Sequence, residues 1–210
     1  MKKLVFLLSL TLLVTACFGK KAPKPANDTF TYAVIKTENG KAKLEMIKEK
    51  PGNEDPNDMI FVKVNPGTVT VGTLSSANDE SYFIMTKPVT QKQLSNLIGE
   101  ATGESAAFSV PFESIGKVVD KLSKENPGVA FSLPKAKQWD FAFLSGKINE
   151  NEQPICWEWA VMNNGKAYTW RGRIWHIMEL YEEDEKERST DEVKSDLSFR
   201  LAFPETKPAK

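Results

Sequence analysis

The segment Ile155–His176, ICWEWAVMNNGKAYTWRGRIWH, is predicted to form the folding core of this protein. It contains four of the five tryptophans, the only histidine and one of the two cysteines. Trp157 and Trp159 alternate across Glu158 with the period of two that is typical of a β-strand. A turn signal, Asn163-Asn164-Gly165, separates this segment from a second aromatic run. The pattern predicts a hairpin whose large side chains anchor the folding core.

The composition is that of an ordinary globular domain. The chain has 210 residues, of which 40% are hydrophobic and 27% are charged, which is enough for one core. Lysine and arginine together number 28, and so do aspartate and glutamate, so the basic excess needed to neutralise phosphates is missing. We therefore expect no nucleic acid partner.

The N-terminus carries an export signal. Met1-Lys2-Lys3 is a short basic region, and the apolar run Leu4–Val14 has the length of a secretory signal and is too short to span a bilayer. The run ends in Val14-Thr15-Ala16-Cys17, which resembles the bacterial lipobox, where the cysteine thiol is joined to diacylglycerol before cleavage. An ordinary signal peptide with a cysteine near its end is the alternative.

In the lipoprotein interpretation, residues 1–16 are removed and Cys17 becomes the lipidated first residue of the mature chain. Because each buried CH₂ group contributes about 0.8 kcal/mol, several acyl chains anchor the protein stably in a membrane. Phe18 is not the aspartate associated with inner-membrane retention, which favours the outer membrane, facing the periplasm or the cell surface. Cys156 then has no partner for an intrachain disulfide, and a buried structural thiol is its favoured role.

The rest of the chain divides into a tether, a hairpin with a linker, and a main domain. We expect residues 17–28 to be a lipidated tether and 29–58 to form an N-terminal hairpin around the Asn39-Gly40 turn signal, followed by a linker. The main domain is expected over 59–204, with a tail at 205–210.

Within the main domain, periodicity and capping signals predict several elements. Thr90 and Gln93 form a capping box that opens a helix. The other elements predicted in the same way are two strands in Met59–Leu74, a strand at Tyr82–Thr86, helices at about Pro111–Glu125 and at Lys135–Leu144, and a strand at Leu197–Phe203. The charged segment Glu179–Glu192 is expected to be a solvated loop or an exposed helix.

The sequences of several segments, and their order along the chain, resemble the sulfatase-modifying-factor domain, the domain of the formylglycine-generating enzyme. They span about Met59–Pro204 and are Met59–Gly72, Lys87–Ile98, Ser132–Ala142 (the family has RLPTEAEWEYA), Cys156–Trp159 (NVWEW), Arg171–Trp175 (RGGSW) and Ser198–Ala202 (GFRLA). The resemblance implies a single α+β domain of the C-type-lectin-like type, with a small twisted sheet and much irregular structure.

The departures from that family concern its active site. The oxygen-dependent enzyme uses a cysteine pair to bind copper, but Ile177–Lys210 contains no cysteine. The related sulfoxide synthases use a histidine iron site, whereas His176 is the only histidine here. Ser132, Lys135 and Arg173 also replace characteristic family residues. We therefore expect the scaffold without the catalytic site, and no cofactor.

Two groups of residues are candidates for the site. Trp139, Trp157 and Trp159 are predicted to pack together as the structural centre. The second group holds the possible nucleophiles or ligands of the aromatic segment and their neighbours: Cys156, Glu158, Arg171, Arg173, Trp175 and His176. For Glu158, the other interpretation is a side chain that faces solvent or pairs with Arg171 or Arg173.

These observations favour a non-catalytic binding or scaffold lipoprotein over an enzyme. Irregular loops on a rigid lectin-like base are where binding function concentrates. A protein partner in an envelope or secretion assembly is expected rather than a sugar, because the Glu-Pro-Asn and Gln-Pro-Asp motifs of C-type lectins are missing. The alternative is a divergent metal-dependent oxidoreductase related to the formylglycine-generating enzyme.

Overall fold

The computed structural model of the protein describes residues 30–99, 110–148, 157–172, 187–191 and 197–205. The predicted leader and tether, 1–28, lie outside these residues. The helices are α1 (Gln91–Ile98), α2 (Phe112–Glu125) and α3 (Ala136–Leu144). The strands are β1 (Tyr32–Glu38), β2 (Lys41–Ile47), β3 (Met59–Val64), β4 (Gly67–Val71), β5 (Leu74–Asn78), β6 (Tyr82–Met85), β7 (Trp157–Val161), β8 (Tyr168–Gly172), β9 (Leu197–Phe199) and β10 (Ala202–Pro204). The predicted α+β class is confirmed.

The main sheet has five strands in the order β10-β6-β3-β1-β2, and all of its pairs are antiparallel. The predicted N-terminal hairpin is confirmed: β1 and β2 are joined through Asn39 and Gly40, with φ values of 50° and 72° that such a turn requires. However, β1 also pairs with β3. The hairpin is therefore part of the main sheet, and the expected boundary between 58 and 59 does not separate two structural units.

A two-stranded ribbon of β4 and β5 leaves the main sheet after β3. Its turn begins with Gly72, whose φ is 60°. The sequence predicted β4 but missed β5, because LSSAN lacks the β-branched and aromatic residues by which strands are recognised. We refer to β4 and β5 together as the ribbon.

A third sheet has the order β8-β7-β9. The predicted aromatic hairpin is confirmed as β7 and β8, and β9 lies parallel to β7 on the other side. The single strand predicted over Leu197–Phe203 was wrong. The chain leaves the third sheet after Phe199, passes through Arg200 and Leu201, and enters the main sheet as β10.

The three predicted helices are confirmed, and a glutamine in the first turn accepts a hydrogen bond at the N-terminus of α1 and of α3. In α1 the Gln93 amide donates to Thr90 Oγ1 at 3.2 Å, and the Thr90 amide donates to Gln93 Oε1 at 2.9 Å. In α3 the cap comes from inside the helix, because the Lys135 amide donates to Gln138 Oε1 at 2.9 Å. No helix among the described residues is both long and apolar enough to cross a bilayer.

Two hydrophobic cores lie among these elements. The main core contains residues of β1, β3, β6, α1, α2, β7 and β9, among them Phe61, Phe83, Trp159 and Phe199. The second core includes Tyr82, Trp139, Phe141 and Ala142 and places α3 against β3, β6 and the ribbon. The third sheet therefore has the main core on one face and α3 near the other.

Candidate functional site

The two faces of β7 have different surroundings because successive side chains of a strand point in opposite directions. Trp159 is 1% exposed in the main core, where Phe112 contacts it edge to face with ring centroids 4.9 Å apart. Trp157 is partly buried against the same core. Glu158 lies on the opposite face and is only 3% exposed. A solvent-facing position for Glu158 was therefore wrong.

Arg200 is the ion-pair partner of Glu158. Arg200 Nε donates to Glu158 Oε2 at 2.7 Å, and Arg200 Nη2 donates to Glu158 Oε1 at 3.0 Å. This is the bidentate geometry in which a guanidinium binds a carboxylate most strongly. The indole Nε1 of Trp139 also donates to Glu158 Oε2, at 3.1 Å. We call Glu158, Arg200 and Trp139 the Glu158 centre.

The same arginine joins the third sheet to the main sheet. Its Nη1 donates to the carbonyl oxygens of Met85 at 3.1 Å and Thr86 at 2.5 Å, where β6 ends. Arg200 itself lies in the two-residue link between β9 and β10. The neighbouring Ser198 hydroxyl donates to the Val89 carbonyl at 2.8 Å. The ion pair therefore lies where the chain passes from one sheet to the other.

Trp139 belongs to the second core and not to the group of Trp157 and Trp159, so the predicted packing of the three tryptophans was wrong. Its indole stacks on Phe143 with ring centroids 5.3 Å apart. The reason is the alternation along β7: α3 lies on the face of Glu158, whereas the tryptophans of the strand point away from it. Their predicted role in a structural core is nevertheless consistent with the burial of Trp139 and Trp159.

Arg171 lies directly opposite Glu158 in the β7–β8 ladder. Its Nε donates to Asp140 Oδ1 of α3 at 3.0 Å, and the arginine side chain is 7% exposed. Nearby, the Tyr82 hydroxyl donates to the Gln138 carbonyl at 2.6 Å. Burial, together with the negative charge of Asp140, raises the pKa of Tyr82 above its ordinary value. These polar groups attach α3 to the third sheet and to the main sheet.

The chemistry open to the Glu158 centre is limited by its contacts. Both carboxylate oxygens accept hydrogen bonds from protein groups, and the side chains of Glu158 and Arg200 are 4% and 5% exposed. A general base must reach the proton that it removes from a substrate. Within the described residues, no three histidine, cysteine, aspartate or glutamate side chains are grouped so that they could hold a metal ion. The arrangement is that of a structural ion pair.

Several predicted site residues lie outside the described residues, namely Cys17, Cys156, Arg173, Trp175 and His176. Their predicted roles stay predictions. The sequence does not identify Arg200 as a site residue, although Arg200 lies in the segment SFRLA that resembles the family. An arginine flanked by the apolar residues of a predicted strand is expected to be buried, and a buried guanidinium needs a hydrogen-bond acceptor. This pattern indicates that Arg200 has a buried partner.

A comparison with family models finds no match to this chain, and a comparison with curated proteins finds none either. Among solved structures, the chain is similar to Treponema denticola variable protein 1, with a TM-score of 0.50 and 14% sequence identity. The likeness covers 70% of this chain and 95% of that chain. At this level of identity it concerns the fold alone, and the mixed α+β fold is what the two proteins share.

Proposed function

We propose that this protein is a lipid-anchored envelope lipoprotein whose domain is a non-catalytic binding or scaffold module for a protein partner in an envelope or secretion assembly. The Glu158 centre carries the non-catalytic part of the proposal. The one candidate acid of the aromatic segment that the structure describes is bonded at both oxygens by Arg200 and is buried. A carboxylate held in this way contributes to folding and is not presented to a substrate.

The proposal includes the C-type-lectin-like scaffold of the sulfatase-modifying-factor family. Three segments that resemble the family supply one residue each to the Glu158 centre: Trp139, Glu158 and Arg200. Segments far apart in the sequence that resemble one family in order, and also contact one another, support a common scaffold. In such scaffolds binding residues concentrate on the connecting loops.

The anchoring part of the proposal is supported by the leader that ends at Cys17. Cell fractionation of the Cys17→Ser variant tests it, with Cys156→Ser as the matched control. We expect Cys17→Ser to leave the membrane fraction and Cys156→Ser to stay there. Equal membrane recovery of the two variants would contradict lipidation at Cys17.

The binding part is tested by chemical cross-linking in intact envelopes, followed by purification of the full chain. We expect an envelope protein to be enriched with the anchored chain relative to Cys17→Ser. Equal background from both forms would contradict a scaffold role. Purified chain loaded with copper or iron is expected to leave a cysteine-containing peptide unoxidised, and turnover of that peptide would favour the oxidoreductase instead.

A further inference from the structure

The ribbon is uncharged and largely exposed, whereas the Glu158 centre is charged and buried. The segment Asn65–Asn78, NPGTVTVGTLSSAN, contains no charged residue in a chain that is 27% charged. Thr68, Thr70 and Val71 of β4 are exposed, and Val71 is 45% exposed. Exposed strand edges of natural proteins are normally protected by charges or prolines, or by a covering segment. The exposed residues of this ribbon include neither a charge nor a proline.

The edges of the main sheet are covered. On β2, the Ala42 amide donates to Glu125 Oε2 at 2.6 Å and the Leu44 amide donates to Asn126 Oδ1 at 2.8 Å. On β10, Ala202 exchanges backbone hydrogen bonds with Ser132 at 2.8 and 2.9 Å. The side chains that end α2 and the segment before α3 therefore occupy both edges of this sheet.

The outer edge of β4 has backbone groups ready for a further strand. Val71 and Leu74 flank the two-residue turn and therefore form a hydrogen-bonded pair. From that pair along the ladder, hydrogen-bonded pairs alternate with non-hydrogen-bonded pairs, and Thr70 and Thr68 belong to the second kind. The N–H and C=O groups of Thr68 and Thr70 therefore point away from β5. Among the described residues, no backbone group bonds them on that side. The α3 helix packs closer to β5, which leaves β4 as the outer strand.

We propose that β4 pairs antiparallel with β4 of a second copy of this chain, about a twofold axis at Val69. This register places Thr68 opposite Thr70 of the second copy, so that both outward-pointing residues gain backbone hydrogen bonds. A twofold axis places identical side chains close together, so charged residues would repel one another. Strand β4 has no charged residue and is therefore complementary to itself. Threonine pairs across neighbouring strands are also favourable. The ribbon becomes a four-stranded sheet, and the contact closes as a dimer. This inference is independent of the proposed anchoring.

The small area buried between the two β4 strands limits the affinity of the proposed dimer. A five-residue strand spans about 17 Å, and its edge buries much less than the roughly 800 Å² per partner of a stable interface. The dimer is therefore weak in solution and depends on concentration.

Sedimentation velocity tests the dimer, on the chain expressed from Phe18 onward, so that neither the apolar leader nor a lipid on Cys17 mediates association. Thr70→Lys and Ser75→Lys are a matched pair, because the two residues face each other in the ladder and their hydroxyls share one hydrogen bond of 3.3 Å. We expect Thr70→Lys to raise the dimer dissociation constant at least tenfold and Ser75→Lys to leave it within about twofold. A parent chain that stays monomeric up to about 1 mM, or equal effects of the two variants, would overturn the proposal.

Cysteine cross-linking tests the register. In the proposed pairing, position 68 lies opposite position 70 of the second copy at about 5.5 Å between Cα atoms, which suits a disulfide. In a chain that also carries Cys17→Ser and Cys156→Ser, we expect a mixture of the Thr68→Cys and Thr70→Cys variants to form disulfide-linked dimers under mild oxidation, and each variant alone to form far fewer. Cross-linking that is equal in the mixture and in the separate variants would overturn this register.

Discussion

The polar groups of the Glu158 centre are bonded within the fold, whereas outer backbone groups of the ribbon bond no other described residue. In the Glu158 centre, a buried carboxylate, a guanidinium and an indole bond one another and the end of β6. In the ribbon, the outer backbone groups of β4 bond no other described residue. Buried polar groups must be satisfied within the fold, whereas an exposed strand edge is satisfied by water or by a partner. We therefore expect substitutions in the Glu158 centre to lower the stability of the fold, and substitutions in the ribbon to weaken the proposed dimer.

The largest loss of stability is expected from Glu158→Gln. The substitution leaves the Arg200 guanidinium buried without its counter-charge, and breaking one side of a buried pair costs about 3–5 kcal/mol. Urea unfolding measures the loss. The control is Glu205→Gln, because Glu205 pairs with the buried Lys63 at 2.8 Å but is itself 38% exposed, and a smaller loss is expected there. Equal losses in the two variants would contradict the special role of the Glu158 centre.

Substitutions of Trp139 separate its packing from its hydrogen bond. Trp139→Ala removes a buried indole and should cost about 3–5 kcal/mol, close to the loss for Glu158→Gln. Trp139→Phe keeps a ring against Phe143 but removes the donor to Glu158, and should cost about 1–3 kcal/mol. The same urea series compares the two. If Trp139→Phe were as stable as the parent, the indole hydrogen bond would contribute nothing.

The hydrogen bond from the Ala42 amide of β2 to Glu125 is expected to make the stability of the fold depend on pH. Burial opposes ionisation of Glu125, but the Ala42 amide and Lys121 outweigh it and hold the pKa of the carboxyl below its ordinary value. Because the folded-state pKa is the lower one, Glu125 stabilises the fold above its unfolded pKa. That contribution is lost as the pH falls through the folded pKa.

Comparing Glu125→Gln with the parent at several pH values tests this directly. We expect the variant to be less stable by about 1 kcal/mol at neutral pH, with the difference shrinking as the pH falls through the acidic range. The exposed Glu49 supplies the control, since Glu49→Gln should change the free energy of unfolding little. A difference between Glu125→Gln and the parent that did not vary with pH would show that the charge is not what matters.

The smallest change in stability is expected in the ribbon. Thr70→Lys should alter the free energy of unfolding of the monomer by no more than about 0.5 kcal/mol, because Thr70 is exposed. Unfolding at a concentration below dimerisation measures it. Loss of dimer with retained stability would separate association from folding, and early unfolding of Thr70→Lys would show that the two are coupled.

Local signals carried much of the fold prediction. The capping box of α1 and the Asn39-Gly40 turn depend on neighbouring residues, so the sequence alone locates them. The alternation around Glu158 likewise identified β7 correctly. Its buried position depended on α3 lying over the same face, which no local pattern reveals.

The Glu158 centre could not be predicted because its contacts are distant in sequence. Arg200 lies 42 positions from Glu158 and 115 from Met85 along the chain. The apolar residues on either side of Arg200 read as one continuous strand, whereas the chain changes sheets at that residue. The same long-range pairing joins β1 to β3 and makes the N-terminal hairpin part of the main sheet.

A double-mutant cycle on Glu158 and Arg200 tests most directly whether the ion pair acts within the fold. Urea unfolding is measured for Glu158→Leu, Arg200→Met and the double variant. We expect the double variant to lose less stability than the two single losses added together, by about 1–3 kcal/mol, because neither buried charge is left alone. Losses that simply add would show that the two side chains do not depend on each other, and would contradict a stabilising role for the ion pair.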